Sequence, residues 1–196
     1  MYRFFYNPDN VGDVLFLVVE PETIPSRVEE HEGVTLLYRD DKLVGANFLG
    51  FGEKYGLKEK GMIVKIPENV IVGVNQCLAE VGADKLCDNV NSGYLVAKVT
   101  KLEEHPLDER SNIVTLDLGG YELTTVSRYA NLKPGLRIVV AIDGCIKFDG
   151  MAFHKKVVRN IPIECEVCSP FDLRLGEEGK CAFEVEDKVE GSDFFA

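Results

Sequence analysis

The sequence predicts a small α+β unit followed by an all-β unit that folds as a five-stranded Greek-key barrel. In the first half, strand-like apolar runs give way to apolar residues at helical spacing near residue 68. In the second half, five β-like segments separated by glycine turns occupy about 75 residues. The polar stretch 84–93 separates the two patterns. We therefore predict one domain over residues 1–90, of unassigned role, and a second over 91–196 that ends in an acidic segment.

The first unit combines several predicted strands with one predicted helix. Strands are expected at FFYNP, which stops at Asn7-Pro8, along the apolar run 13–20, and on both sides of a turn at Asp40-Asp41. In the segment 68–84 the apolar residues recur at helical spacing, and Gly82 suits the position just after a helix end.

The strands of the second unit are predicted from alternation and from turn residues. The first is expected over 93–102, and a hairpin is expected around Gly119-Gly120. A turn centred on Pro134-Gly135 precedes the strand predicted over 136–142. The segment 154–169 alternates over most of its length and is expected to be interrupted at Pro162.

Composition limits the kind of protein that this is. The 196 residues include 22 Lys and Arg against 33 Asp and Glu, which gives a formal net charge of −11. Such an acidic average argues against non-specific coating of nucleic acid. We find no signal peptide and no apolar run long enough to span a membrane. Six scattered cysteines without a secretion signal are typical of reduced thiols in a cytoplasmic protein, so we expect that location and no membrane partner.

One stretch departs from this acidic average. The window 128–160 holds seven basic residues and two acidic ones, a local net charge of 7 − 2 = +5. Lysine and arginine beside extended RNA gain free energy by releasing counterions, and Tyr129, Phe148 and Phe153 offer stacking surfaces for bases. The alternative is a solvated strand face whose cations pair with the acidic tail. Composition leaves both interpretations open.

No pattern in the sequence favours catalysis or a bound metal. Cys165 and Cys168 form a C-x-x-C pair, but zinc needs four ligands, and the spacing to Cys145 and His154 matches no common site. Buried thiols explain this pair better. The segment GFGEKYG at 50–56 lacks dinucleotide-binding spacing, and there is no phosphate-binding loop of the nucleotide type. We therefore expect no enzyme, no cofactor and no metal site.

Several motifs of the second half together resemble the tRNA-binding domain. They are His105-Pro106, the segment TVSRYANLKPGLRIVVA at 125–141, KVVR at 156–159, and Cys168-Ser169 followed by an acidic, leucine-containing stretch. That domain is an OB-fold found at the N-terminus of the phenylalanyl-tRNA synthetase β subunit, at the C-terminus of many methionyl-tRNA synthetases, and in stand-alone bacterial proteins. The segment FFYNPDNVGDVLFLVV is similar to the N-terminal extension of a subgroup of the stand-alone proteins.

The resemblance can be carried over only at matching residues. Ser127, Asn131 and Arg159 match the family pattern. Where the family usually has S-x-G-M on its RNA-facing side, this chain has Ile163, Cys165 and Glu166. A carboxylate in place of methionine would repel phosphate and cannot stack on a base. The loop after His105-Pro106 also differs in charge from the family loop.

The resemblance and the basic window together predict a non-catalytic protein that binds tRNA, by shape and phosphate contacts, through an OB-fold. The RNA-binding residues that we predict are Lys98, Lys101, Ser127, Arg128, Asn131, Lys133, Lys155, Lys156 and Arg159. The resemblance also implies a homodimer, formed by the region after the barrel, in which Phe183 and Phe194-Phe195 contact the partner. The alternative is a protein-interaction or dimerisation scaffold whose OB-fold has lost RNA binding.

Overall fold

A computed structural model describes residues 1–86, 91–177 and 179–196 of the chain. The chain divides into two compact units, Met1–Val90 and Asn91–Ala196. Part of the predicted linker, residues 87–90, lies outside the described residues. No helix in the described ranges is long and apolar enough to cross a membrane.

The first unit is built on a six-stranded antiparallel sheet with the strand order β3-β4-β5-β2-β1-β6. Its strands are β1 (Arg3–Tyr6), β2 (Val14–Val18), β3 (Arg27–His31), β4 (Val34–Arg39), β5 (Lys42–Leu49) and β6 (Gly61–Ile63). Its helices are α1 (Pro8–Val11), α2 (Phe51–Tyr55) and α3 (Glu68–Glu80).

The strands and the helix predicted for this unit form where the apolar pattern placed them. The helix α3 buries one face, formed by Val70, Gly73, Val74 and Leu78, in the same core as the buried residues of β2 and β4. Asp40 adopts a positive φ of 54° in the turn between β4 and β5, which a short polar residue tolerates. The sequence did not predict β3 or β6, because β3 is polar and exposed and β6 has three residues.

Asp13 joins two distant parts of the first unit. Its carboxylate accepts hydrogen bonds from the backbone N–H groups of Gly52 (2.7 Å) and Glu53 (2.9 Å) in the first turn of α2. It also accepts one from the Tyr6 hydroxyl at 3.0 Å. A Cβ at residue 52 would lie 1.8 Å from the Tyr6 hydroxyl oxygen, so this close approach requires glycine.

The second unit is mostly β and contains a nearly closed five-stranded antiparallel barrel. Its five strands are β7 (Tyr94–Glu104), β8 (Asn112–Asp117), β9 (Glu122–Ser127), β10 (Arg137–Ile142) and β13 (Cys165–Val167), hydrogen-bonded in the order β13-β10-β7-β8-β9. The predicted hairpin between β8 and β9 is present, with Gly119 and Gly120 at positive φ in its turn. Buried aliphatic side chains of β7, β8 and β10 fill the interior.

Hydrogen bonds between residues 124–125 and 164–165 bring the ends of this sheet together. The Thr125 hydroxyl, on β9, donates to the Cys165 carbonyl oxygen on β13 at 2.6 Å. The Glu164 backbone N–H, just before β13, donates to the Thr124 carbonyl oxygen at 2.9 Å. The two edge strands are therefore linked to each other, and the barrel is nearly closed.

The segment 154–169 differs from its predicted course. It forms a separate hairpin of β11 (Lys156–Val158) and β12 (Ile161–Ile163), in which the chain reverses at Arg159 and Asn160. The predicted interruption at Pro162 is wrong, because Pro162 lies within β12. Both turn residues have positive φ, 52° and 64°, as a two-residue hairpin turn requires. Pro162 pairs with Val157 inside the hairpin. Proline has no backbone N–H to donate, and the hairpin tolerates this because both strands of a two-stranded ribbon are edge strands.

The C-terminal segment lies against the barrel of its own unit. The N–H groups of Val185 and Phe194 donate to the carbonyl oxygens of Arg137 (2.9 Å) and Tyr94 (2.8 Å). The rings of Phe194 and Phe195 are in contact, with centroids 4.8 Å apart, and Phe195 also contacts Tyr94 at 5.5 Å. Phe194 and Phe195 are partly buried by these contacts within the unit, and their predicted contact with a partner chain stays a prediction.

Replacing Asp13 with alanine should destabilise the first unit. The substitution removes three hydrogen bonds and leaves two helix-end N–H groups without a protein acceptor. We expect a loss of about 1–3 kcal/mol in the free energy of unfolding, measured by urea denaturation. Asp41→Ala, in the exposed turn between β4 and β5, is the matched control and should change stability by less than about 0.5 kcal/mol.

Candidate functional site

A groove of about 680 Å³ opens on the second unit. One wall is the end of β9 and the residues after it: Thr125, Val126, Ser127, Arg128 and Tyr129. A second part of the lining comes from β12 and β13 and contains Ile163, Cys165, Glu166 and Val167. The remaining lining residues come from three separate loops or strands, and they are His105, Asp108, Ser111, Lys147, Phe153 and Lys156.

An ion pair spans part of this groove. The Lys147 ammonium donates a hydrogen bond to Glu166 Oε2 at 3.1 Å and lies 3.8 Å from Asp149 Oδ2. The side chains of Lys147 and Glu166 are 25% and 42% exposed. Burial by itself would lower the pKa of Lys147, but the hydrogen bond to Glu166 and the nearby carboxylates raise it overall. Lys147 therefore stays charged, and Glu166 faces the groove with its charge compensated.

A second ion pair lies at the rim of the groove. Arg128 donates through Nη2 to Asp108 Oδ2 at 2.8 Å and through Nε to the Ser111 hydroxyl at 3.2 Å. The Ser111 hydroxyl in turn donates to Asp108 at 2.7 Å. Hydrogen bonds from Ser111, Arg128 and the Arg110 backbone lower the pKa of Asp108 to about 2. The loop after His105 is thus attached to the end of β9.

The groove also has an aromatic part. Phe153 lines it and is buried, whereas Tyr129 is partly exposed and donates its hydroxyl to Asp172 Oδ2 at 3.3 Å. Burial, with a further contribution from Asp172, raises the pKa of Tyr129 to about 12, so it remains a neutral phenol. Phe148, the third aromatic residue considered for stacking, instead contacts Tyr94 and Phe195.

The structure brings part of the predicted site together. Ser127, Arg128 and Lys156 all line the groove. Lys155 precedes the hairpin and Arg159 lies at its tip, and both side chains are exposed. We call this hairpin with its preceding residue, 155–163, the basic arm. Within the described residues, Lys156 and Arg159 have no acidic partner within 4 Å, whereas Lys155 lies 4.0 Å from Asp143.

The other predicted residues do not line this groove. Lys98 and Lys101 lie on β7, and Lys133 lies in the turn between β9 and β10. Lys101 pairs with Glu103 at 2.9 Å. The nine predicted residues therefore fall into a set in the groove and on the basic arm, a second set around β7 and the turn, and Asn131.

Asn131 holds the C-terminal segment in place. Its Nδ2 donates to the Ala182 carbonyl oxygen and to Glu184 Oε1, both at 3.0 Å. Its Oδ1 accepts a hydrogen bond from the Ala182 N–H at 2.9 Å. These three hydrogen bonds use both the oxygen and the nitrogen of the amide group, so Asn131 has a structural role.

The ion pair of Lys147 and Glu166 was not included in the predicted site. Lys147 was only one of seven cations in the basic window, and Glu166 was considered only as a source of repulsion. Their partnership depends on β13 lying beside β10 and the loop that follows it. In the sequence, only Glu166 stands out, because it is an acid at a position where the tRNA-binding domain usually has methionine.

The cysteines of the groove region are buried. Burial raises the pKa of Cys165 to about 12 and raises that of Cys168 well above its ordinary value. Neither thiol is suited to act as a nucleophile at neutral pH. Among the described residues, no group of three or more His, Cys, Asp or Glu side chains is arranged to hold a metal ion.

Comparisons with known proteins confirm the resemblance. The chain is 24% identical over 175 residues to "Putative tRNA-binding protein YtpR" of Bacillus subtilis, with 87% of each chain covered. It is 32% identical over 87 residues to a phenylalanine–tRNA ligase beta subunit of Novosphingobium aromaticivorans, and 29% identical over 89 residues to one of Neisseria gonorrhoeae. The chain spans 11% of the length of each of these ligase subunits. No protein-family model matches it.

The low pKa of Asp108 leads to a prediction about pH. Because its folded-state pKa of about 2 lies below the ordinary value of 3.8, its contribution to stability is complete above 3.8 and is lost as the pH falls towards 2. Ser111→Ala removes the strongest donor, so the pKa should rise towards 3.8. A carboxyl-detected NMR titration measures this. Arg110→Ala is the control and should leave the pKa unchanged, because Arg110 donates through its backbone.

Replacing Asn131 with alanine should loosen the C-terminal segment. Three hydrogen bonds are lost, and we expect the free energy of unfolding of the second unit to fall by about 1–3 kcal/mol. Lys133→Ala, two residues away and exposed, is the control and should have almost no effect. Limited proteolysis should cut the Asn131→Ala variant faster after residue 182, and equal rates for both variants would contradict this role.

Proposed function

We propose that this chain is a non-catalytic RNA-binding protein that binds tRNA through the barrel of its second unit. The relatives named above support this proposal. One relative, matched over 87% of its length, has the name "Putative tRNA-binding protein". The others are beta subunits of phenylalanine–tRNA ligase that share a short region with this chain. The buried, protonated cysteines give no support to an alternative as an enzyme.

The strand order of the barrel supports its assignment as an OB-fold. Numbered within the unit, the five strands lie in the order 5-4-1-2-3, and contacts between the third and fifth strands nearly close the sheet. This is the arrangement of a five-stranded Greek-key barrel, whose curved face and loops bind oligonucleotides. The groove lies on this barrel, next to the closing strands.

The observation that carries the proposal is the uncompensated charge of the basic arm. The protein has a net charge of −11, yet Lys156 and Arg159 have no acidic partner within 4 Å among the described residues. Both are exposed; Lys156 lines the groove, and Arg159 lies at the tip of the hairpin. Lys155, 4.0 Å from Asp143, adds a third cation. When cations without an acidic partner contact phosphates, the counterions condensed on the RNA are released, and this release favours binding. An acidic remainder keeps nucleic acid from binding elsewhere.

Phosphate contacts on the arm and hydrogen bonds in the groove would then have separate tasks. The arm would neutralise the RNA backbone, while Ser127 and the groove residues would contact bases or riboses. The homodimer and the cytoplasmic location stay predictions. The phenylalanines predicted at a dimer interface contact one another and Tyr94 within the unit but remain partly exposed, and their role in a dimer stays a prediction as well.

Binding of bulk tRNA across a salt series tests the proposal. Fluorescence anisotropy should show log K falling with log salt concentration at a slope of roughly −3 to −5, which corresponds to about four to six neutralised phosphates. In the double variant Lys155→Glu with Lys156→Glu, affinity should fall at least tenfold at low salt, and the slope should become shallower by about 1–2.

A matched control separates the arm from net charge. The double variant Lys58→Glu with Lys65→Glu makes the same change in total charge on exposed residues of the first unit. It should bind tRNA nearly as tightly as the unmodified protein. If neither the unmodified protein nor this control variant binds tRNA even at low salt, the proposal is wrong, and the scaffold alternative gains support.

A further inference from the structure

The groove and the basic arm differ in how their charges are balanced. Inside the groove, Lys147 pairs with Glu166 at 3.1 Å, and at its rim Arg128 pairs with Asp108 at 2.8 Å. A phosphate entering the groove would have to separate one of these pairs and would approach a carboxylate at close range. Phosphates therefore bind more favourably on the arm, and the groove is suited to a less charged part of the RNA.

The ion pair in the groove retains unused hydrogen-bonding capacity. Glu166 Oε2 accepts from Lys147, whereas its Oε1 accepts no hydrogen bond from any residue that the structure describes. The Glu166 side chain is 42% exposed, so a ligand can reach it. An ammonium has three donors, and Lys147 uses one on Glu166. The groove thus presents an acceptor and a donor side by side.

We propose that the groove binds one unpaired nucleobase by its edge and prefers guanine, with Glu166 and Lys147 as the residues that determine this preference. This inference rests on the proposed function, because it assigns a substrate feature to the same site. Guanine N1–H and N2–H donate to the Glu166 carboxylate, and guanine O6 accepts from the Lys147 ammonium.

The chemistry of the four bases explains the preference. Guanine presents two adjacent N–H donors beside a carbonyl oxygen, so both oxygens of a carboxylate can be used while the ammonium contacts O6. Adenine, cytosine and uracil each present only one N–H-bearing position on this edge. When any of these three bases binds, one oxygen of the Glu166 carboxylate loses its hydrogen bond to water and gains none from the base, which weakens binding.

The shape and lining of the groove agree with this occupant. A volume of about 680 Å³ lies within the usual range of small-ligand sites. Tyr129, Phe153 and Ile163 supply apolar surface near the ion pair, which gives a base ring a contact surface. Lys156, which belongs to the arm and also lines the groove, is placed to hold the phosphate next to the bound base.

Short single-stranded RNAs test the inference directly. We would measure the binding of fluorescein-labelled UUGUU, UUUUU and UUIUU to the full chain by anisotropy at low salt, where I is inosine, which lacks the N2 amino group. UUGUU should bind about tenfold or more tightly than UUUUU and at least several-fold more tightly than UUIUU, because each replacement removes a donor to the carboxylate. In Glu166→Gln, UUGUU and UUIUU should bind nearly equally.

Controls separate a lost preference from a damaged fold. Glu186→Gln, on an exposed loop residue, removes the same charge and should keep the guanine preference. In Glu166→Gln, Asp149 remains 3.8 Å from Lys147, so the ammonium keeps a nearby carboxylate, and the melting temperature should be nearly unchanged.

Two results would overturn the inference while leaving the proposed function intact. One is equal binding of UUGUU and UUUUU by a protein that still binds bulk tRNA through the arm. The other is an increase in affinity for all three RNAs in Glu166→Gln, which would mean that Glu166 only repels phosphate. Failure to bind bulk tRNA at low salt would instead refute the proposed function itself.

Discussion

The second unit depends on the closure of its barrel between β9 and β13. The Thr125 hydroxyl and the Glu164 N–H bridge the two edge strands, with distances of 2.6 and 2.9 Å to their acceptors. Closure removes exposed edges that would otherwise pair with other chains. It also fixes the position of the groove, because β9 and β13 both contribute residues to its lining.

Closure has an electrostatic consequence as well. Once β13 lies beside β10, Glu166 reaches Lys147, and the acid that the sequence marked as repulsive becomes half of an ion pair. The pair is partly exposed, so its net contribution to stability is small. Its importance lies in the polar groups that it holds in the groove, where the surrounding protein limits their hydration.

The two units use polar contacts in the same way. Asp13 attaches the first turn of α2 to β1, and Asn131 attaches residues 182–184 to the turn after β9. In each case a short polar side chain satisfies backbone groups of a segment distant in sequence. Such contacts add about 1 kcal/mol each and define a single position for the segment. Asn131 shows that a residue shared with a binding family can serve the fold.

The sequence by itself determined most local elements: the alternating strands other than β3 and β6, the glycine turns, a helix within 68–84 and the concentration of basic residues at 128–160. These follow from side-chain period and backbone conformation, which are local properties. Only the tertiary structure decided which charges meet. Lys147 and Glu166, or Arg128 and Asp108, are 19 and 20 residues apart, and strand register brings each pair together. Alternation predicts which face of the sheet a residue occupies, but it does not predict which residue lies beside it on the neighbouring strand.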